Sequence, residues 1–268
     1  MVAIVINNYN MISNRELTFD EQRSVQLDIL KEVDVVCRRE KIKYSLAFGT
    51  LLGAIRHNGY IPWDDDLDIM MPYEDMIRLR DSLKSDKITF YDVDTDKTYG
   101  NAFGNICSNL TYRRVGRTND RGIGIDVYPI VRIPNNSKVV NSFFEKAEKL
   151  QKYRCAMLRL RSFLQGRLSV HTIPFYHYVI KKFRNHLVSH NSMVSSRYYI
   201  IAGPLDMRSK MIYNEDLFNS LTMLQFEDGE FPGISNYDLF LTMRYGDYMQ
   251  LPPKEQRHPY HGQHYYWK

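Results

Sequence analysis

Cysteine is scarce in this chain. The three present, Cys37, Cys107 and Cys155, are widely spaced and odd in number, which argues against a disulfide framework and fits a reducing compartment. Long apolar runs are also missing: no stretch approaches the ~20 residues that a membrane-spanning helix needs. The opening MVAIVINNYN has an apolar run of only five residues with no basic region before it, so no secretory signal is expected. There is no internal repeat and no low-complexity tract. With 268 residues, 44% of them hydrophobic, the composition allows one large domain or two small ones, and the expectation is a soluble cytoplasmic protein. Acids nearly vanish from residues 146–184, where ten Lys or Arg face a single Glu148 although the whole chain carries only +5. Such a stretch suits a phosphate-bearing partner or the anionic inner face of a membrane, or forms a solvated helical face.

What is present is punctuated clearly. Thr18-Phe-Asp-Glu21 is a capping-box pattern that opens a helix to about Glu40, with Val25, Ile29, Val33 and Val36 on one face. Lys43–Phe48 alternates as a strand, and Gly49-Thr50 begins a short helix that ends near Asn58-Gly59. A strand over Asp66–Met71 is closed by Pro72 and followed by a helix, YEDMIRLRDSLK. Strands are expected at 88–93, 104–108, 110–115 and Gly124–Val131, and helices at 138–165 and 175–189. Beyond Gly229 the chain is rich in Tyr, Pro and His and is expected to wrap the core. The fold class is α+β: a mixed sheet flanked by helices over 18–133, then a helical region and an irregular tail over 134–268.

Residues 60–71, YIPWDDDLDIMM, crowd four carboxylates among apolar neighbours. Side chains at i and i+2 share a face in a strand, which groups Asp64, Asp66 and Asp68 and turns Asp65 toward the surface. Like charges gathered in a cleft repel. A divalent cation removes the conflict, and hard oxygen ligands suit Mg²⁺, which completes its shell with phosphate oxygens and water. The Gly49-Thr50 turn between strand and helix offers free N–H groups to phosphate. Arg56 and His57 at the end of that helix can neutralise phosphate charge. Asp126 sits alone in the apolar run GIDVYPI, a setting in which an acid rarely goes unpaired, and either faces the same metal or makes a structural ion pair.

A Gly-Thr turn, acids at i and i+2 on the next strand, and a third acid on a later strand resemble the nucleotidyltransferase fold. The runs FGTLLGAIRHNGYIPWDDDLDIMMPYEDM and FEDGEFPGISNYDLFLTMRYGDYMQLPP resemble the LicD family more specifically, and with GIDVYPI they extend the likeness from about residue 20 to about 258. The resemblance implies a Mg²⁺-dependent transferase, with one or two ions and Mn²⁺ as a substitute. It would move phosphocholine from CDP-choline onto a sugar of a teichoic acid or lipopolysaccharide precursor and release CMP. On that reading Asp66, Asp68 and Asp126 hold metal, with Asp64 as a further participant, and Asp126 is either ligand or general base. Gly49, Thr50, Arg56 and His57 attend the donor phosphates. Trp63 and Tyr245 are aromatic candidates for the choline cation, and Glu227 and Asp228 either contact it or support the centre. The lipid-linked acceptor would be met at the inner membrane face through 146–184. Alternatives are a transferase for another CDP-linked alditol or amino-alcohol phosphate, and a non-catalytic module that binds phosphorylated glycan. No RNA-binding motif is present, so no nucleic acid is expected. His258, His261 and His264 match no zinc pattern and read as a polar tail.

Overall fold

The computed structural model describes residues 14–115, 118–133, 136–164, 174–189, 197–201, 212–213, 216–259 and 262–268. In chain order the elements are α1 (Phe19–Glu40), β1 (Ser45–Leu46), α2 (Phe48–His57), β2 (Asp68–Pro72), α3 (Tyr73–Ser82), β3 (Ile88–Tyr91), β4 (Gly104–Ser108), β5 (Thr111–Val115), β6 (Thr118–Asp120) and β7 (Gly124–Ile133). They continue with α4 (Ser137–Leu164), α5 (Pro174–Leu187), β8 (Arg197–Ile200), β9 (Ile212–Tyr213), β10 (Leu221–Phe226), β11 (Gly229–Ile234), α6 (Tyr237–Tyr245) and β12 (Tyr265–Trp267). This is an α+β fold. Among the described residues, no helix is long and apolar enough to cross a membrane.

The main sheet runs β1-β2-β7-β4-β3, and the far end of β7 also pairs with β8, which carries β9. β2 and β7 are parallel, with Asp68 opposite Asp126. β4 is antiparallel to β7 and sets Asn105 opposite the same Asp126. Along β7 half-buried Gly124, Asp126 and Tyr128 alternate with buried Ile125 and Val127, so one face carries polar groups and the other packs into the core.

The capping box forms as expected: the Glu21 amide donates to Thr18 Oγ1 at 3.2 Å, and the Thr18 amide donates to Glu21 Oε2 at 2.8 Å. The Arg15 guanidinium bonded to Glu21 is the main reason its carboxyl falls to about 2 from an ordinary 4.5. A depressed carboxyl stabilises the fold above its unfolded value and loses that stabilisation as pH falls through its folded value. Glu21→Gln is therefore expected to lower the urea midpoint at pH 6 and to differ little from the parent near pH 2.

The segment after Ile133 is more ordered than its sequence suggests. β8 extends the main sheet, β10 and β11 form a hairpin, and α6 buries Phe240 and Leu241. One apolar core runs through both regions, from Ile29 and Leu46 through Ile69 and Val127 to Phe144, Tyr213 and Phe240. The residues near the C-terminus wrap as anticipated, but as a strand: β12 pairs with β5, and Leu17 and Asn14 donate to Tyr265 and Trp267 carbonyls.

Candidate active site

α1 shapes the acidic loop. Arg23 donates to the carbonyls of Ile61 and Asp64, both at 2.7 Å, and Gln26 Nε2 donates to the Asp65 carbonyl at 3.1 Å. The strand starts at Asp68 rather than Asp66, so residues 64–67 do not alternate. This overturns the outward placement of Asp65: one carboxylate oxygen from each of Asp64, Asp65 and Asp66 lies within 4.8 Å of the others. Asp65 Oδ2 also accepts the Gly262 amide at 2.9 Å.

Beside this trio stands the in-register pair. Asp126 is clamped on both oxygens, by Asn105 Nδ2 at 2.7 Å and the Tyr128 hydroxyl at 3.1 Å. Asp68 is buried, and its Oδ1 has no hydrogen-bond partner. Burial, then the charges of Asp66, Asp126 and Asp64, push the Asp68 carboxyl well above the ordinary range. Burial and the neighbouring Asp66 lift Asp64 to about 8. An orphaned, buried carboxylate oxygen facing further carboxylates is expensive without a cation. The donor set is all hard oxygen, which fits Mg²⁺ or Mn²⁺.

The other predicted residues separate. Gly49 is needed for close approach, since a Cβ there would stand 2.6 Å from Asp64 Oδ2. Thr50 is buried, and its hydroxyl accepts the Asp68 amide at 2.8 Å, tying α2 to β2 and positioning the first acid. Arg56 lies at the opposite end of α2, donating to the Tyr248 carbonyl at 2.8 Å and to His57 at 3.0 Å. Burial lowers the pKa of both Arg56 and His57. Neither borders the cleft beside the acids.

Trp63 has the Arg257 guanidinium 5.5 Å from its ring centre, so a face is already occupied by a cation. Glu227 Oε1 accepts the Tyr60 amide at 2.9 Å, and its own amide donates to Asn58, which docks the β10–β11 turn on the loop after α2. Asp228 is exposed and pairs with Lys31 at 2.7 Å. Tyr245 lies within electrostatic reach of Asp68 and Asp64; burial raises its hydroxyl pKa, and Arg244 opposes that shift.

The basic stretch is not one surface. Arg154 turns in to the Gly100 carbonyl and the Asn101 side chain, each at 2.7 Å. Arg184 is buried on Asp94 at 2.5 Å and the Tyr73 hydroxyl at 2.9 Å. The side chains of Arg161 and Arg167 lie outside the described residues, as does His261. His264 bonds Glu16.

A cleft of about 410 Å³ opens beside the acids, bordered by Asp65, Asp66 and Asp126 and by Tyr99, Phe103, Asn105, Tyr128 and Tyr265. Sequence reading missed these polar and aromatic walls. Tyr128 was recoverable, since it lies two residues beyond Asp126 on the same strand face. Asn105 was not, because its place depends on the non-local pairing of β4 with β7.

An acid-bearing strand lies in parallel register with a second one, behind the helix that carries Gly49 and Thr50. In this chain, residues 41–171 match the family described as LicD/FKTN/FKRP, nucleotidyltransferase domain. The chain is 29% identical over 262 residues to the lipopolysaccharide cholinephosphotransferase LicD of Haemophilus influenzae, covering 94% of this chain and 99% of that relative. A shorter match, 40% identical over 79 residues, is to an uncharacterized protein of Rickettsia prowazekii and spans 30% of this chain and 28% of that one.

Proposed function

We propose that this protein transfers phosphocholine from CDP-choline to a hydroxyl of a cell-surface glycan precursor and releases CMP. The observation that supports this most directly is the in-register pair Asp68 and Asp126, within a chain that aligns along nearly its whole length with a cholinephosphotransferase. Asp66, Asp68 and Asp126, with Asp64 and Asp65 adjoining, would hold the metal. A divalent cation held there would supply positive charge to the phosphoryl group during transfer.

The chain's own residues do the rest. Asn105 and Tyr128 fix the Asp126 carboxylate in one orientation, so it can accept the proton of an acceptor hydroxyl at a defined place. Thr50 holds Asp68 in register through its backbone, and Arg23 and Gln26 hold the acidic loop from behind. The acceptor oxygen forms its bond to the phosphorus that bears choline, the bond from that phosphorus to CMP breaks, and the proton passes to Asp126. Positioning and electrostatics carry such a transfer, so the protein needs no covalent intermediate. The acceptor is a lipopolysaccharide or teichoic acid precursor. The exposed stripe Phe175, Tyr178 and Lys182 on α5 suits peripheral contact with the anionic inner membrane face where a lipid-linked acceptor waits.

The test is donor profiling with Mg²⁺ and a sugar acceptor, using CDP-choline, CDP-ethanolamine, CDP-ribitol and nucleoside triphosphates. CMP release from CDP-choline is expected. Pyrophosphate release from a triphosphate, or turnover confined to CDP-ribitol, would overturn the assignment.

A further inference from the structure

The cleft beside the acid row is bordered by aromatic rings, carboxylates and two arginines. Arginines reach the cleft wall, but carboxylates hold them: Arg113 bonds Asp120 at 2.5 Å, and Arg121 bonds Asp96 at 2.5 Å and lies 3.8 Å from Asp120. Arg121 also lies over the rings of Tyr91 and Tyr99, 4.9 and 5.2 Å from their centres. Among the described residues, both arginines on the cleft border are thus paired with carboxylates. The cleft also presents Phe103, Tyr128 and Tyr265, all half-buried, beside Asp66 and Asp126. The Phe103 and Tyr128 ring centres are 4.7 Å apart with planes at 48°, and the ends of the Tyr128 and Asp126 side chains are bonded.

We infer that the cleft walled by Phe103, Tyr128 and Tyr265 is the subsite for a quaternary-ammonium head group. This deepens the proposed function and rests on it. A cation whose nitrogen carries no N–H is held by aromatic faces with carboxylates nearby. Choline is joined to its phosphorus through one oxygen and two carbons, so the head-group subsite has to adjoin the acids that serve that phosphorus. The cleft meets this condition, since Asp66 and Asp126 are part of its border. Among the sequence candidates, Trp63 already faces Arg257 and Asp228 is already bound to Lys31.

Phe103→Leu keeps apolar bulk at the cleft wall and removes the π face. In the full chain with Mg²⁺, this variant is expected to raise KM for CDP-choline by roughly tenfold, to lower its preference for CDP-choline over CDP-ethanolamine, and to bind CMP with an unchanged Kd by calorimetry. Tyr265→Leu should shift the same preference in the same direction. A parent enzyme that turns over CDP-choline, with both variants keeping its KM and its preference, would overturn the subsite and leave the activity standing. A weakened Kd for CMP in parallel with the KM would also overturn it, since the cleft would then be holding the nucleotide. A parent enzyme that releases CMP only from an uncharged donor would remove the proposed function and the subsite together.

Discussion

Asp68→Asn is expected to reduce Mg²⁺-dependent CMP release by roughly 10³-fold, the scale on which loss of one preorganised electrostatic group acts, while the metal-free protein becomes more stable. Both effects have one cause. Asp68 is buried, has an oxygen with no partner, and faces Asp64, Asp66 and Asp126. An amide at that position removes the charge that a cation needs and relieves the repulsion that its absence leaves behind, a gain on the order of 1–3 kcal/mol. Binding sites are often bought with stability in this way. The checks are a rate assay and thermal melts with and without Mg²⁺. Saturating Mg²⁺ at about 100 times its Kd should stabilise the parent by about 2.7 kcal/mol and do much less for the variant. Asp126→Asn should lose activity too but gain less stability, because Asn105 and Tyr128 already satisfy that carboxylate. Unchanged turnover in Asp68→Asn would remove it from the catalytic centre.

Phe240→Ala is expected to destabilise the whole chain by about 3–5 kcal/mol and to do so in a single transition. Phe240 is fully buried in α6; its ring stacks on Tyr213 at 5.6 Å and meets Phe48 at the same distance. Phe48, at the head of α2 with a backbone φ of 44°, meets Tyr128 edge-on at 5.1 Å. The side chain thus links the later region to the strand that carries Asp126. Urea unfolding followed by far-UV dichroism and by tyrosine fluorescence should give coincident curves, both shifted. Two separated transitions, with only the later one moved, would mean that the region after Ile133 folds as its own unit.

Much of the first region was legible because its signals are local. The capping box at Thr18 and Glu21, the end of α2 at Asn58, and the alternation through GIDVYPI each depend on a few consecutive residues. Pairing between distant segments was not legible. The hairpin β10–β11 reads in sequence as a polar turn flanked by short mixed runs, and β12 as a Tyr-rich end; each becomes a strand only through a partner, or a docking surface, far along the chain. At the site, the acids were found because four carboxylates among apolar residues are improbable. Asp65 was misplaced because strand alternation was extended into a loop that α1 holds in another shape. The bond from the Asp68 amide to the Thr50 hydroxyl was not legible in the turn motif, because it depends on how α2 packs against β2. Of the choline candidates, Trp63 was chosen for its place beside the acids in sequence and Glu227, Asp228 and Tyr245 from the distal block, whereas the rings that line the cleft come from the stretch before β4, from β7 and from β12.

The stitching of β12 has a practical side. Its edge is held by β5 and by the residues just before α1, and the Gly262 amide two residues before Tyr265's neighbour His264 rests on a carboxylate of the acidic loop. Lys268 closes that edge by donating its amide to the Leu110 carbonyl, so a handle fused after it would start beside the beginning of β5 and leave the Gly262 contact undisturbed.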